Sequence, residues 1–397
     1  MNNLNHFDFT KEYGLVLEGG GAKGAYQIGV WRALLSYGVK IKGVSGVSVG
    51  ALNGALMCMG DYDQAEQLWR ELNYSAIMKV DNDQMEKLIG HHLKELNFKE
   101  LKKDISKFLK DKGIDITPLK DLIDKWVDED KIRNSDMEFI FGTFLVSKLK
   151  EVEISTKEME NENLKDYLLA SASLPAFKKD KLNGLKYMDG GLFNNVPIDM
   201  LINRGYKDII VIRIFGRGLE KPVKIPRDVN VIEIAPRIKL GGTLEFNTTK
   251  IRRNMMVGYY DGLRCLKSLE GKIYYIDNDL TEEACGLKFI NTNEAVKMGL
   301  LEYYKEEYGP GVSYTRQFVE IVCPYLADTL KLKKEWSYRE LYLSLLELCA
   351  KSLKLTKYRV YTQEELKSAI IIRYQQMSMK GYEFPIFYQL ILKMVSI

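Results

Sequence analysis

A serine held between a strand and a helix by two glycines constrains this chain more than any other feature. The stretch is Gly46-Val47-Ser48-Val49-Gly50, of the form G-x-S-x-G. Upstream, Lys40 to Val44 reads as a short strand with β-branched Ile41 and Val44. Downstream, Ala51 to Met57 reads as a helix of small and apolar residues. A chain that passes from strand to helix in so few residues turns too tightly for a Cβ beside the serine, which accounts for Gly46 and Gly50. Such a turn is a nucleophile elbow. It holds Oγ clear of its neighbours and aims the N–H of Val49 at a developing oxyanion. A glycine-rich turn that happens to hold a serine has the same letters, because G-x-S-x-G recurs by chance in long chains.

The segment before it narrows the choice. Tyr13 to Leu17 is a buried-strand candidate, followed at once by Glu18-Gly19-Gly20-Gly21-Ala22-Lys23-Gly24. Ala25 to Tyr37 then reads as a helix with Tyr26, Val30, Ala33 and Leu34 on one face and Gly38 at its stop. Strand, glycine loop and helix make a place where backbone N–H groups converge on negative charge. Gly19, Gly21 and Gly24 fit G-x-G-x-x-G, but a dinucleotide fold needs an acidic residue about 20 positions on. No Asp or Glu stands between Glu18 and Asp61. The order of a phosphate-binding P-loop is also missing. A loop that offers oxyanion donors from Gly19, Gly20, Gly21 and Ala22 to Ser48 uses the same glycines and lacks nothing.

Further along, 61 to about 135 reads as a charged helical insertion on an α/β core, including Gln64 to Trp69, Met85 to Leu109 and Leu119 to Val127. It fits a lid over one side of the core, and equally a set of solvated helices with no role in access. Glu138 to Val146 and Val152 to Ile154 return to strand. Leu164 to Leu169 is a short helix running into Ala170-Ser171-Ala172-Ser173-Leu174-Pro175-Ala176-Phe177, where Phe177 is placed to line a pocket. Asp189 ends a strand, and Gly190 and Gly191 let the chain turn around its carboxylate. Pro197 opens a helix to Ile202, and Asp208 to Phe215 and Val229 to Ile234 are further strands. This alternation predicts a three-layer α/β fold: a mainly parallel sheet flanked by helices, with catalytic groups at the C-terminal ends of strands.

The histidine count bears on mechanism. A serine nucleophile usually takes its base from histidine, which in an α/β-hydrolase follows both serine and acid. This chain has only His6, His91 and His92, all before Asp189. The remaining base is a carboxylate, and Asp189 is the one placed to take the Ser48 proton and return it to the leaving alcohol. A free aspartate is a poor base at neutral pH, so burial has to raise its pKa.

Taken together, three stretches carry a family resemblance. Gly19 to Gly24 including Lys23, Gly46 to Gly50, and Asp189-Gly190-Gly191 resemble the glycine loop, G-x-S-x-G and D-G-[AG] of patatin-like phospholipases. Ala172 to Pro175 and Asn195-Val196-Pro197 are similar too, and the resemblance covers roughly residues 13 to 215. It implies a Ser48–Asp189 dyad, an oxyanion site in the glycine loop, and hydrolysis of lipid acyl esters of the phospholipase A or lysophospholipase type without metal or cofactor. The alternatives are a broad-specificity carboxylesterase and a catalytically weak lipid-binding or regulatory module on the same fold. An intact dyad argues against the pure binder.

Composition bounds the rest. The 397 residues are 46% hydrophobic and 28% charged with a net charge of +4, too balanced for a general nucleic-acid binder. Five scattered cysteines without a C-x-x-C pair argue against a disulfide framework and a zinc site, and fit a reducing compartment. The polar N-terminus lacks the apolar core of a signal peptide, and no run reaches the length of a membrane span, so a cytoplasmic protein is expected. The expected domains are 1–300, catalytic, and 301–397, a helical extension. Leu244 to Leu269 reads as a helix whose Met and Tyr residues belong to a core or to a lipid channel. Residues 331–397 carry 12 basic and six acidic residues and an apolar aromatic tail, Phe384 to Lys393. That tail suits docking on the rest of the chain, a homo-oligomer contact, or peripheral contact with a lipid surface.

Overall fold

The computed structural model describes residues 7–87, 114–159, 163–173, 177, 181–182, 184–306 and 311–395. His6, His91, His92, Leu174, Pro175, Ala176 and most of the expected helix from Met85 to Leu109 lie outside the described residues. The chain divides into two units, one from Asn5 to Leu266 and the other containing Lys267 to Ile397. The division therefore falls earlier than the expected boundary at residue 300.

In the first unit eight strands form one sheet. They are β1 (Glu12–Leu17), β2 (Lys40–Val47), β3 (Glu138–Leu145), β4 (Lys150–Ser155), β5 (Lys181–Leu182), β6 (Leu185–Asp189), β7 (Asp208–Ile212) and β8 (Asn230–Ile234). The neighbours β3-β2-β1-β7-β8 are all parallel. Register explains the three layers. Leu15, Val44 and Phe139 are aligned across β1, β2 and β3, and the next row is Val16, Ser45 and Ile140, on the opposite face of the pleat. Helix α1 (Ala25–Ser36) precedes β2, and against the first row lies helix α2 (Val49–Met59), so close that a Cβ on Gly54 would come 2.6 Å from the Phe139 ring. Against the second row, Met200 and Leu201 of the helix Ile198–Asn203 pack with Val16, Ile140 and Val211. Strands covered on both sides explain why their sequences are continuous apolar runs rather than alternating ones.

The antiparallel part of the sheet positions the site. β4 occupies one edge of β3 from Ile140 to Leu145. On the other edge, Gly43 to Val47 of β2 pair with Glu138 to Gly142, and Asp189 to Tyr187 of β6 pair with Thr143 to Leu145. β2 and β6 thus meet head to head along a single strand, and the residues after both C-terminal ends face the same spot. Sequence patterning placed Asp189 at a strand end, but not on a strand antiparallel to its neighbour.

Several boundaries differ from expectation. The strand expected through Phe215 stops at Ile212, and Phe215 has a left-handed backbone with φ of 49°. The helix Thr248–Lys267 buries Ile251, Met255 and Leu263 in the core.

The second unit is mostly helical around Tyr274, Phe289, Leu345, Leu346, Leu366 and Ile391. Residues before 300 belong to this core, including Ile276, Cys285 and Val296. Thr362 and Glu365 form a capping box at the start of the helix Gln363–Met379. The apolar tail is the helix Ile386–Val395, which buries Phe387, Leu390, Ile391 and Leu392 within the same unit. No helix among the described residues is long and apolar enough to cross a membrane.

Candidate active site

Ser48 sits between β2 and α2 with φ of 55° and ψ of −127°, a conformation that non-glycine residues rarely hold. The turn is tight because α2 starts on top of the sheet: a Cβ on Gly50 would lie 2.2 Å from the Leu17 carbonyl oxygen, and one on Gly46 2.4 Å from that of Gly50. Two bonds fasten the strained residue. Its N–H donates to Ser171 Oγ at 3.0 Å, and Ser171 Oγ donates to the Gly142 carbonyl at 2.7 Å. The side chain of Ser48 also stands at the positive end of α2, where developing negative charge is favoured.

The glycine loop closes over this serine as a single turn, Gly21–Gly24, that includes Ala22 and Lys23. Gly21 has φ of 56°, and a Cβ there would meet the Thr243 carbonyl oxygen at 2.2 Å, so only glycine fits. Not every N–H of the loop is free. That of Gly19 donates to the Asn195 carbonyl at 3.2 Å and that of Ala22 to the Thr243 carbonyl at 2.8 Å. Among the described residues, none accepts from the N–H groups of Gly20, Gly21 or Val49. The donor set expected from sequence is therefore narrowed: Gly19 and Ala22 hold the loop in place, and Gly20, Gly21 and Val49 keep donors to offer.

Asp189 is 3% exposed and closes β6. Its Oδ1 accepts the Gly191 N–H at 2.8 Å, which uses the D-G-G turn to fix the carboxylate. Burial pushes its pKa up to about 6, opposed by the Ser48 hydroxyl and by the Gly191 N–H. Oδ2 is buried and has no hydrogen bond of normal geometry among the described residues. Gly190 allows the approach of the two strand ends, since a Cβ there would come 2.5 Å from Val47 Cγ2.

Ser48 and Asp189 share a cavity open to solvent with Gly19, Gly20, Gly21, Val49 and Gly191. The rest of its wall is nearly all apolar. Leu52 and Leu56 come from α2, and Leu68, Trp69, Leu72, Ile77, Leu119, Ile123, Trp126 and Val127 from the insertion. The insertion is therefore part of the cavity wall. Phe177 also lines it, whereas no residue of the helix Thr248–Lys267 does.

Glu18 was not singled out by sequence reading. Its fully buried carboxylate accepts the N–H groups of Ile214 at 2.6 Å, Phe215 at 3.0 Å and Gly216 at 2.9 Å, and pairs with Arg213 at 3.0 Å. Asn195 Nδ2 donates to the Gly19 carbonyl at 3.1 Å and to Glu18 at 3.3 Å. Lys23 Nζ donates to the Phe215 carbonyl, and burial holds its ammonium below the ordinary lysine range. An acid directly after an apolar strand and before a glycine run was the available signal. Only long-range pairing shows what it receives.

The three-layer α/β fold carries three glycine motifs similar to those of patatin-like phospholipases. Residues 15–202 match the family model described as Patatin-like phospholipase. It is 27% identical over 228 residues to "Neuropathy target esterase sws" of Drosophila melanogaster, 52% of this chain and 14% of that protein. It is 30% identical over 210 residues to "Patatin-like phospholipase domain-containing protein 7" of Mus musculus, 51% of this chain and again 14% of the relative. The match thus spans about one seventh of the length of these relatives. Among solved structures, VipD from Legionella pneumophila aligns with a TM-score of 0.41 at 14% identity, covering 97% of this chain and 91% of that one.

Proposed function

We propose that this protein hydrolyses carboxylic esters of lipids, of the phospholipase A or lysophospholipase type, through Ser48 and Asp189. In the first step Ser48 Oγ attacks the ester carbonyl carbon while its proton passes to Asp189 Oδ2. The N–H groups of Gly20, Gly21 and Val49 receive the oxyanion of the tetrahedral intermediate. The intermediate collapses, the bond to the alcohol oxygen breaks, and the alcohol takes the proton from Asp189. Water then attacks the acyl-serine, giving its proton to the same carboxylate, and the fatty acid leaves as Ser48 is reprotonated.

One observation carries the reading: a buried carboxylate with a pKa near 6 stands beside a strained serine in an apolar cavity. An ordinary aspartate is too weak a base at neutral pH, while one raised to that level is ionised at pH 7 and still a competent acceptor. The apolar wall supports an acyl chain rather than a polar acyl group.

The test compares wild type with Ser48→Ala on a soluble p-nitrophenyl ester and on mixed phospholipid vesicles, with released fatty acid identified by mass spectrometry. The reading requires wild-type release and its loss in the variant. Equal rates in both proteins would remove it.

A further inference from the structure

Among the described residues, the cavity has two charged side chains on its lining, Asp189 and Arg217. Arg217 is exposed, and among the described residues it has no ion pair and no hydrogen bond. Its neighbours in sequence are different. Arg213 pairs with Glu18, Glu220 and Glu233, and Lys221 pairs with Asp199 at 2.6 Å and Glu151 at 3.3 Å. One guanidinium in this region is thus left without a counter-ion, and it is the one at the cavity.

The backbone that carries it is held against both halves of the reaction centre. Glu18 binds the N–H groups of residues 214 to 216. On the far side Leu219 N–H donates to the Gly191 carbonyl at 2.9 Å, and Asn195 N–H to the Leu219 carbonyl at 2.7 Å. Gly216 and Gly218 let the strap lie flat: a Cβ on Gly216 would fall 1.7 Å from the Gly19 carbonyl oxygen, and one on Gly218 2.5 Å from that of Gly191. Arg217 is the side chain between these two glycines, so it emerges between the glycine loop and the Asp189 turn. Lys23 adds positive charge close by, since Arg217 contributes to the lowering of its pKa.

We propose that Arg217 reads the phosphate of a lipid headgroup while the acyl chain lies along the apolar wall, making it a specificity-determining residue for phosphate-bearing acyl esters. This rests on the hydrolase reading above. A planar guanidinium matches a phosphate with two parallel hydrogen bonds, and an unpaired one held beside the reacting ester gives its binding energy to substrates that carry that group.

The experiment measures kcat and KM of wild type, Arg217→Gln and Arg217→Lys on two substrates with the same acyl chain, lysophosphatidic acid and monoacylglycerol. The ratio of kcat/KM for the phosphate ester to that for the neutral ester should fall about tenfold or more in Arg217→Gln, mostly through KM, with partial recovery in Arg217→Lys. A ratio equal in wild type and Arg217→Gln overturns the inference while leaving hydrolysis of both esters, and with it the hydrolase reading, intact. Loss of both activities in Ser48→Ala is the separate control on that reading. Free glycerol 3-phosphate should inhibit monoacylglycerol hydrolysis only far above the KM for lysophosphatidic acid. Inhibition at or below that KM would mean the guanidinium serves a soluble phosphate, and would overturn the headgroup assignment.

Discussion

Val47 and Asp189 pair with consecutive residues of one strand, Gly142 and Thr143, from strands that run in opposite directions. β3 therefore acts as a ruler that sets the end of β2 against the end of β6, and the two groups of the proposed dyad inherit that spacing. A connection through loops alone would leave the distance to loop mobility, whereas a shared sheet edge fixes it.

The buried Asp189 carboxylate makes stability depend on pH in an unusual sense. Its folded pKa of about 6 lies above the ordinary 3.8, so between these values the folded state holds the proton more tightly than the unfolded one. Stability conferred by the neutral acid is present at low pH and falls as pH rises from the ordinary value to the folded one. The Asp189→Asn variant should lack this loss and be more stable than wild type above pH 7, by on the order of 3 kcal/mol. Urea unfolding of both proteins at pH 5 and pH 8 measures it; a variant less stable than wild type at pH 8 would speak against the buried charge.

Glu18→Gln should be far more damaging than a single lost charge suggests. The amide would turn two N–H donors towards backbone N–H groups that need acceptors and leave Arg213 without its buried partner. A destabilisation of about 3 kcal/mol is expected, together with a lower kcat because the strap and the glycine loop share this anchor. Denaturant midpoints and ester kinetics on the same preparations check both.

Much of this was legible beforehand, for reasons that differ between residues. Ser48 and Gly21 stood out because tight turns restrict residue type locally. Asp189 followed from the absence of any histidine after it. The roles of Glu18 and Ser171 were not readable, because each depends on a partner from a distant segment: Ile214 to Gly216 for Glu18, and Gly142 for Ser171. The antiparallel course of β6 was hidden for the same reason, since strand direction leaves little trace in a five-residue strand.

Gly50→Ala should fail structurally rather than chemically. The added methyl group would stand 2.2 Å from the Leu17 carbonyl oxygen, which belongs to β1 and cannot yield without moving the sheet. A loss of about 1–3 kcal/mol follows from overpacking of this kind, with activity falling alongside. Thermal unfolding is the check, and an unchanged midpoint would contradict the packing of α2 on β1.

Trp126→Ala should widen the apolar wall contributed by the insertion. The expected result is a shift of kcat/KM towards longer or branched acyl chains with little change for a short-chain ester. A series of p-nitrophenyl esters of increasing chain length reads this; a uniform change across the series would place Trp126 away from the acyl path.

The central claim is that a carboxylate, and no imidazole, takes the proton of Ser48. The direct measurement is the pH dependence of kcat/KM for a soluble ester in wild type, in Asp189→Asn, and in a variant with His6, His91 and His92 all changed to Gln. The account predicts activity that rises with pH through an apparent pKa of about 6 and then levels off, unchanged in the triple histidine variant and abolished in Asp189→Asn. A rise that disappears with the histidines, or survives in Asp189→Asn, would contradict it.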